Sequence, residues 1–145
     1  MIKVLIANAS KRKETRLISD YIAEGLRKSG VYINVLDIND IKGIQRLKGY
    51  DAIILNSGIY TNDLLNEWKL DASMANKIDF QRKIGGAFGG PTCSNIAIGN
   101  LFHTMKNDLK MDMVNGPLII DSISDSSGGR KAKQYGREIA EKLIN

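Results

Sequence analysis

The chain has almost no raw material for metal binding or disulfide chemistry. Its 145 residues include one cysteine, Cys93, and one histidine, His103. A lone cysteine has no intramolecular partner, which excludes a disulfide framework and metal clusters of the CxxC kind. A lone histidine excludes every zinc site built on two, so no metal is expected. Long apolar runs are missing as well. Met1 to Ala7 carries a lysine and is too short for a secretory core or a membrane span, so the expected location is the cytoplasm. The length suits a single domain over residues 1–145, large enough to bury a core without a covalent staple.

An excess of one sign of charge is also scarce outside a single stretch. The formal net charge is +5, and residues 11–16 (Lys-Arg-Lys-Glu-Thr-Arg) hold four basic groups and one acidic, a net +3 of that total. No helix combines dense lysine and arginine with interleaved aromatics, so a face that tracks a nucleic-acid backbone is not expected. The basic turn reads either as a site for one compact anion or as solvated lysines on an exposed turn.

What the chain does have is alternation. Met1–Ala7, Val31–Leu36, Ala52–Leu55, Ile84–Phe88 and Pro117–Asp121 are short runs rich in valine and isoleucine. Several are nearly continuously apolar, as in strands covered on both faces. Between them apolar residues recur at helical spacing: Leu17, Ile18, Tyr21, Ile22 and Leu26; Leu64, Trp68, Ala72 and Ala75; Ile98, Leu101, Phe102, Met105 and Leu109; Ala132, Tyr135, Ile139 and Leu143. Ser29-Gly30 reads as a helix stop and Ser126-Ser127-Gly128 as a start. Residues 39–45 allow a short helix, and Leu109 to Gly116 reads as an irregular approach to the last strand. This order predicts an α/β fold: a doubly wound five-stranded parallel sheet flanked by helices on both faces.

In such sheets ligands bind beyond the carboxyl ends of the strands. Three loops leave those ends here. The first, Asn8 to Thr15, is cationic and enters a helix. Helix N-termini bind phosphate through free N–H groups, Ser10 and Thr15 add hydroxyls, and Lys11, Arg12 and Lys13 add charge. A plain helix cap is the alternative reading. Neither a GxGxxG nor a GxxxxGK[ST] motif is present. The second loop, Asn56 to Asp63, sets Tyr60 where a planar ligand can stack, or where it packs as a core aromatic. Trp68 sits in a helical stripe and reads as structural. The third loop, Gly89 to Asn95, is glycine-rich and able to bring backbone amides to a ring edge.

Taken together, Lys3-Val-Leu-Ile-Ala-Asn-Ala-Ser10, Ile22-Ala-Glu-Gly25, Gly49-Tyr-Asp-Ala-Ile-Ile-Leu55 with Ser57-Gly-Ile-Tyr60, Gly85-Gly-Ala-Phe-Gly89 and the tail Tyr135–Leu143 resemble the flavodoxin family, over essentially the whole chain. That resemblance implies non-covalently bound FMN. By position, Ser10, Lys11, Arg12, Lys13, Glu14 and Thr15 would meet the phosphate. Ser57, Gly58, Ile59 and Tyr60 would lie on one side of the ring, with Gly89, Gly90, Thr92, Cys93 and Ser94 on the other. The phosphate loop is atypical. Where the family has S/T-x-T-G-N-T/S, this chain has Ser10-Lys-Arg-Lys-Glu-Thr15, so a side-chain-heavy route to the phosphate replaces glycine and asparagine. Glu14 opposes it: unit charges about 5 Å apart repel by roughly 3 kcal/mol at an effective dielectric near 20. Thr61 and Asn62 follow Tyr60 in place of the family's glycine, which implies weaker stabilisation of the one-electron reduced flavin. Cys93 or Pro91 stands where many flavodoxins stack a tyrosine; Cys93 also reads as an inert small side chain.

The functional expectation is one- or two-electron transfer through FMN, as a carrier or a small oxidoreductase, with a redox partner protein or a small-molecule electron acceptor. No catalytic side chains are expected: there is no Ser/His/Asp arrangement, and His103 beside Phe102 reads as an oriented or surface histidine. Flavodoxin carriers are typically acidic, so this basic chain points to a different set of partners. The alternative is a flavodoxin-fold protein without FMN that serves as a binding or assembly module. A phospho-receiver of the same topology is excluded, because Asn8 and Asn56 stand where receivers need acids. The sequence leaves the oligomeric state open.

Overall fold

A computed structural model describes residues 1–9, 12–41, 44–57, 78–91, 94–123 and 126–144. Strand β1 spans Lys3–Asn8, helix α1 Lys13–Arg27, β2 Tyr32–Asp37, β3 Ala52–Asn56 and β4 Ile84–Gly89. Helix α2 runs Asn95–His103 and continues as a wider turn through Thr104–Asp108. Then come β5 at Asp112–Met113, β6 at Leu118–Ile119 and helix α3 at Ser126–Ile144. The strands form one sheet in the order β2-β1-β3-β4-β5, with β6 also on β4, and every pairing is parallel. The predicted strands and the first, third and last predicted helices are present. The helix read at residues 64–75 lies outside the described residues. Of the short helix read at 39–45, the described residues form parts of two 3-10 turns, Ile38–Asp40 and Ile44–Leu47, and residues 42–43 lie outside the described residues.

The sheet separates two cores because side chains alternate along each strand. Leu5, Ala7, Ile53, Leu55 and Ala87 face one side with Leu101, Phe102 and Met105. Val4, Ile6, Ala52, Ile54 and Phe88 face the other, under Ile18, Ile22 and Leu26 of α1 and Ala132, Tyr135 and Ile139 of α3. All five residues of β3 and all six of β4 are buried, which accounts for the unbroken apolar run Ala52–Leu55 and for the lack of charge in both strands. Helix α1 stops where the sequence implied, with Gly30 in the left-handed region at φ +76.

Helices α1 and α3 touch backbone to backbone. A Cβ on Gly25 would lie 2.1 Å from the Lys133 carbonyl oxygen, and one on Gly136 would lie 2.2 Å from that of Ile22. Larger residues at either position would hold the helices apart.

The fifth strand differs from the expectation: it is in two pieces. β5 is in register with Ile84 and Gly85 and β6 with Phe88 and Gly89, so Gly86 and Ala87 between them have no register partner on the edge strand. Asn115, at φ +36, turns the chain out of line there. The Tyr135 hydroxyl fills the gap, accepting from Ala87 N–H at 3.0 Å and facing Ala87 O at 3.4 Å. Gly86 makes room, since a Cβ there would sit 2.7 Å from the Tyr135 oxygen. Burial pushes the Tyr135 phenol above its ordinary range; the Ala87 hydrogen bond opposes this and Glu138 adds to it.

Candidate functional site

The carboxyl ends of β1, β3 and β4 lie side by side and bring the starts of the three loops together. Arg12 takes the N-cap position of α1 in an extended conformation, and its side chain does not cap the helix. Lys13 and Glu14 are exposed in the first turn. Helix α2 is built the other way: the Ser94 hydroxyl accepts from Ala97 N–H at 2.9 Å and caps it. The two helix starts therefore differ in what they offer a ligand. At α1 no N-cap side chain competes for the first-turn amides, and Arg12 and Lys13 stand beside them. Arg16 is drawn away from this group by an ion pair with Asp37 at 3.3 Å.

Thr15 is buried, and a Cβ on Gly90 would lie 3.7 Å from its Oγ1 and 3.3 Å from Ile18 Cδ1. The first and third loops thus meet at Gly90, where the missing side chain keeps the space open. Ser57 is also buried, and its N–H donates to Phe88 O at 2.9 Å. A Cβ on Gly89 would collide with Ile98 at 2.2 Å and lie 2.9 Å from Ser57 Oγ, so the second and third loops meet there. Of the residues singled out from the sequence, Arg12, Lys13, Glu14, Thr15, Ser57, Gly89, Gly90 and Ser94 are placed at this end of the sheet. Ser10, Lys11, Gly58, Ile59, Tyr60, Thr92 and Cys93, with Thr61, Asn62 and Trp68, lie outside the described residues.

Sequence reasoning missed the two asparagines that end β1 and β3 as structural groups. Asn8 Oδ1 accepts from the Ser19 hydroxyl of α1. Asn56 Oδ1 accepts from Ala9 N–H at 3.3 Å, and its Nδ2 donates to Phe88 O at 3.4 Å. The available signal was a polar residue closing each apolar strand run. Beside Asn8, a recess of about 360 Å³ is lined by Arg16, Asp20, Val35, Leu36, Asp37 and Asp40. His103 is exposed, with its ring edge-on to Phe102 at 5.8 Å. Among the described residues no group of three histidine, cysteine, aspartate or glutamate side chains is placed to hold a metal ion. No described helix is long and apolar enough to cross a membrane.

No protein-family model matches the chain, nor does any curated protein sequence. Solved structures do. A flavodoxin from the domain Archaea superposes with a TM-score of 0.80 at 25% identity, covering 99% of this chain and 100% of the other. The chain has a flavodoxin-like fold. Oxidised flavodoxin 1 from Bacillus cereus gives a TM-score of 0.78 at 22% identity, over 96% of this chain and 97% of its own. Rubredoxin oxygen:oxidoreductase from Desulfovibrio gigas gives 0.80 at 20% identity over 98% of this chain, which corresponds to 36% of that larger protein. In this flavodoxin-like frame, the α1 start, Ser57 and the Gly89–Gly90 pair share one end of the sheet.

Proposed function

We propose that the chain binds FMN non-covalently at the carboxyl end of its sheet and transfers electrons through it, as one domain spanning residues 1–145. The observation that carries this reading is the junction at Gly90. There the start of α1, without a capping Arg12 side chain, comes against a glycine of the third loop, beside Ser57 and Gly89. The donor set fits a phosphate monoester: first-turn amides with Arg12 and Lys13 alongside. Full-length similarity to flavodoxins supports the same reading.

The residues divide the work. The first turn of α1, with Arg12 and Lys13 (and Ser10 and Lys11 from the sequence), would hold the phosphate. Ser57 to Tyr60 would flank one side of the ring, and Gly89, Gly90, Thr92, Cys93 and Ser94 the other. Bound FMN would supply one- or two-electron redox chemistry, while the protein excludes water and orients the ring. Electrons would pass to a partner protein or to a small-molecule acceptor. The exposed Glu14 weakens phosphate binding and makes the neighbouring cations necessary.

Titrating the purified protein with FMN and with riboflavin tests this. FMN is expected to bind with altered flavin absorbance and fluorescence and to raise the melting temperature. Replacing Arg12 and Lys13 by alanine should weaken FMN by tenfold or more and barely change riboflavin. A folded protein whose melting point and flavin spectrum are unmoved by saturating FMN overturns the reading.

A further inference from the structure

Asn56 is fully buried at the end of β3, the strand between β1 and β4. The regular pairing of β1 with β3 ends at Ala7 and Leu55. Beyond it, Ala9 N–H donates to the Asn56 side-chain oxygen at 3.3 Å, while the Asn56 amide nitrogen donates to Phe88 O at 3.4 Å. The same Phe88 carbonyl accepts Ser57 N–H at 2.9 Å. One side chain therefore joins the first residue past β1, the exit of β3 and the exit of β4. A planar amide suits this position, because its acceptor and its donor point to opposite neighbours. Alanine here would remove both bonds at once, and a hydroxyl has a shorter reach.

We infer that Asn56 is a positioning residue that fixes the first loop relative to the other two, and through that separation sets the preference of the site for FMN over riboflavin. This rests on the FMN reading above. Ala9 opens the loop that leads to the phosphate-binding turn of α1, whereas Ser57 and Phe88 lead to the loops assigned to the ring. Asn8 acts beside it by tying α1 to β1 through Ser19, so the first loop is held at both ends. Loss of the Asn56 bridge frees one of those ends and leaves the ring side joined through Ser57 N–H and Phe88 O. Phosphate binding is then weakened more than ring binding, because placement of the amides to within a fraction of an ångström decides their strength.

The test compares FMN and riboflavin affinities of the wild type and Asn56→Ala, with melting temperatures measured on the same samples. The expected result is a loss of tenfold or more for FMN against less than threefold for riboflavin. Equal losses for the two flavins, or none, overturn the inference and leave the FMN reading standing. A wild type that binds no FMN overturns that reading and this inference with it. Hydrogen exchange on the wild type requires no folded variant. The Ala9 amide is expected to exchange at least a hundredfold more slowly than an open loop amide, and exchange at open-loop rates overturns the inference.

Discussion

Replacing Gly136 by alanine tests whether the α1–α3 contact is as close as its geometry states. The added Cβ would lie 2.2 Å from the Ile22 carbonyl oxygen and 3.1 Å from Gly25 Cα. Both are backbone atoms, so no rotamer change relieves the clash, and the helices must separate by about 1 Å to reach ordinary contact. Overpacking of this kind costs about 1–3 kcal/mol, against roughly 1 kcal/mol gained from alanine's helix propensity. The balance is a net loss of up to about 2 kcal/mol. For a chain of this size that lowers the melting temperature by up to about 7 °C. Gly99 is the internal control. It lies within α2 with no heavy atom within 4 Å of a Cβ, so Gly99→Ala keeps the propensity gain and should stabilise by about 0.5–1 kcal/mol. Urea denaturation followed by circular dichroism measures both variants through their midpoints at unchanged slope. A Gly136→Ala protein as stable as Gly99→Ala, or more stable, would refute the close contact.

Two further outcomes follow from single hydrogen bonds. Tyr135→Phe leaves the buried Ala87 N–H without its acceptor and should cost about 1–3 kcal/mol at neutral pH. The folded-state pKa of Tyr135 is raised, so its contribution is intact below the unfolded value near 10 and is lost as pH climbs above it. The deficit of the phenylalanine variant should therefore shrink by about 1.4 kcal/mol at pH 11 relative to neutral pH. A deficit that stays constant across that range in denaturant titrations contradicts the buried-phenol account. Ser94→Ala removes the α2 cap and should cost about 1 kcal/mol in the same assay, whereas Ser94→Asp keeps a side-chain acceptor and should cost only a few tenths. Equal losses for the two would show that a side-chain oxygen is not the cap.

Much of the architecture could be read from the chain because its signals are local. Valine- and isoleucine-rich runs mark β1 to β4, four-residue spacing marks α1 and α3, and Ser29-Gly30 marks the end of α1. The divided fifth strand was not readable. Asp112–Met113 has too few residues to show a period, and its pairing to Ile84 and Gly85 is decided by the sheet. The glycines of β4 hinted at close neighbours, but not that Met113, Tyr135 and Ile98 would be those neighbours. At the candidate site, the cationic turn stood out as a compositional anomaly. The burial of Thr15 and the links of Asn56 to residues 47 and 32 positions away did not, since bonds across such separations exist only after the sheet has formed.

The break at Asn115 bears on how the protein behaves when concentrated. An intruding segment from another molecule docks on a sheet by finding a continuous row of free donors and acceptors along its rim. On the β5–β6 side it meets two dipeptide stubs and a kink, too short to template growth. Among the described residues the opposite rim is β2, where Tyr32 to Leu36 runs without a formal charge, so intermolecular strand addition would begin there.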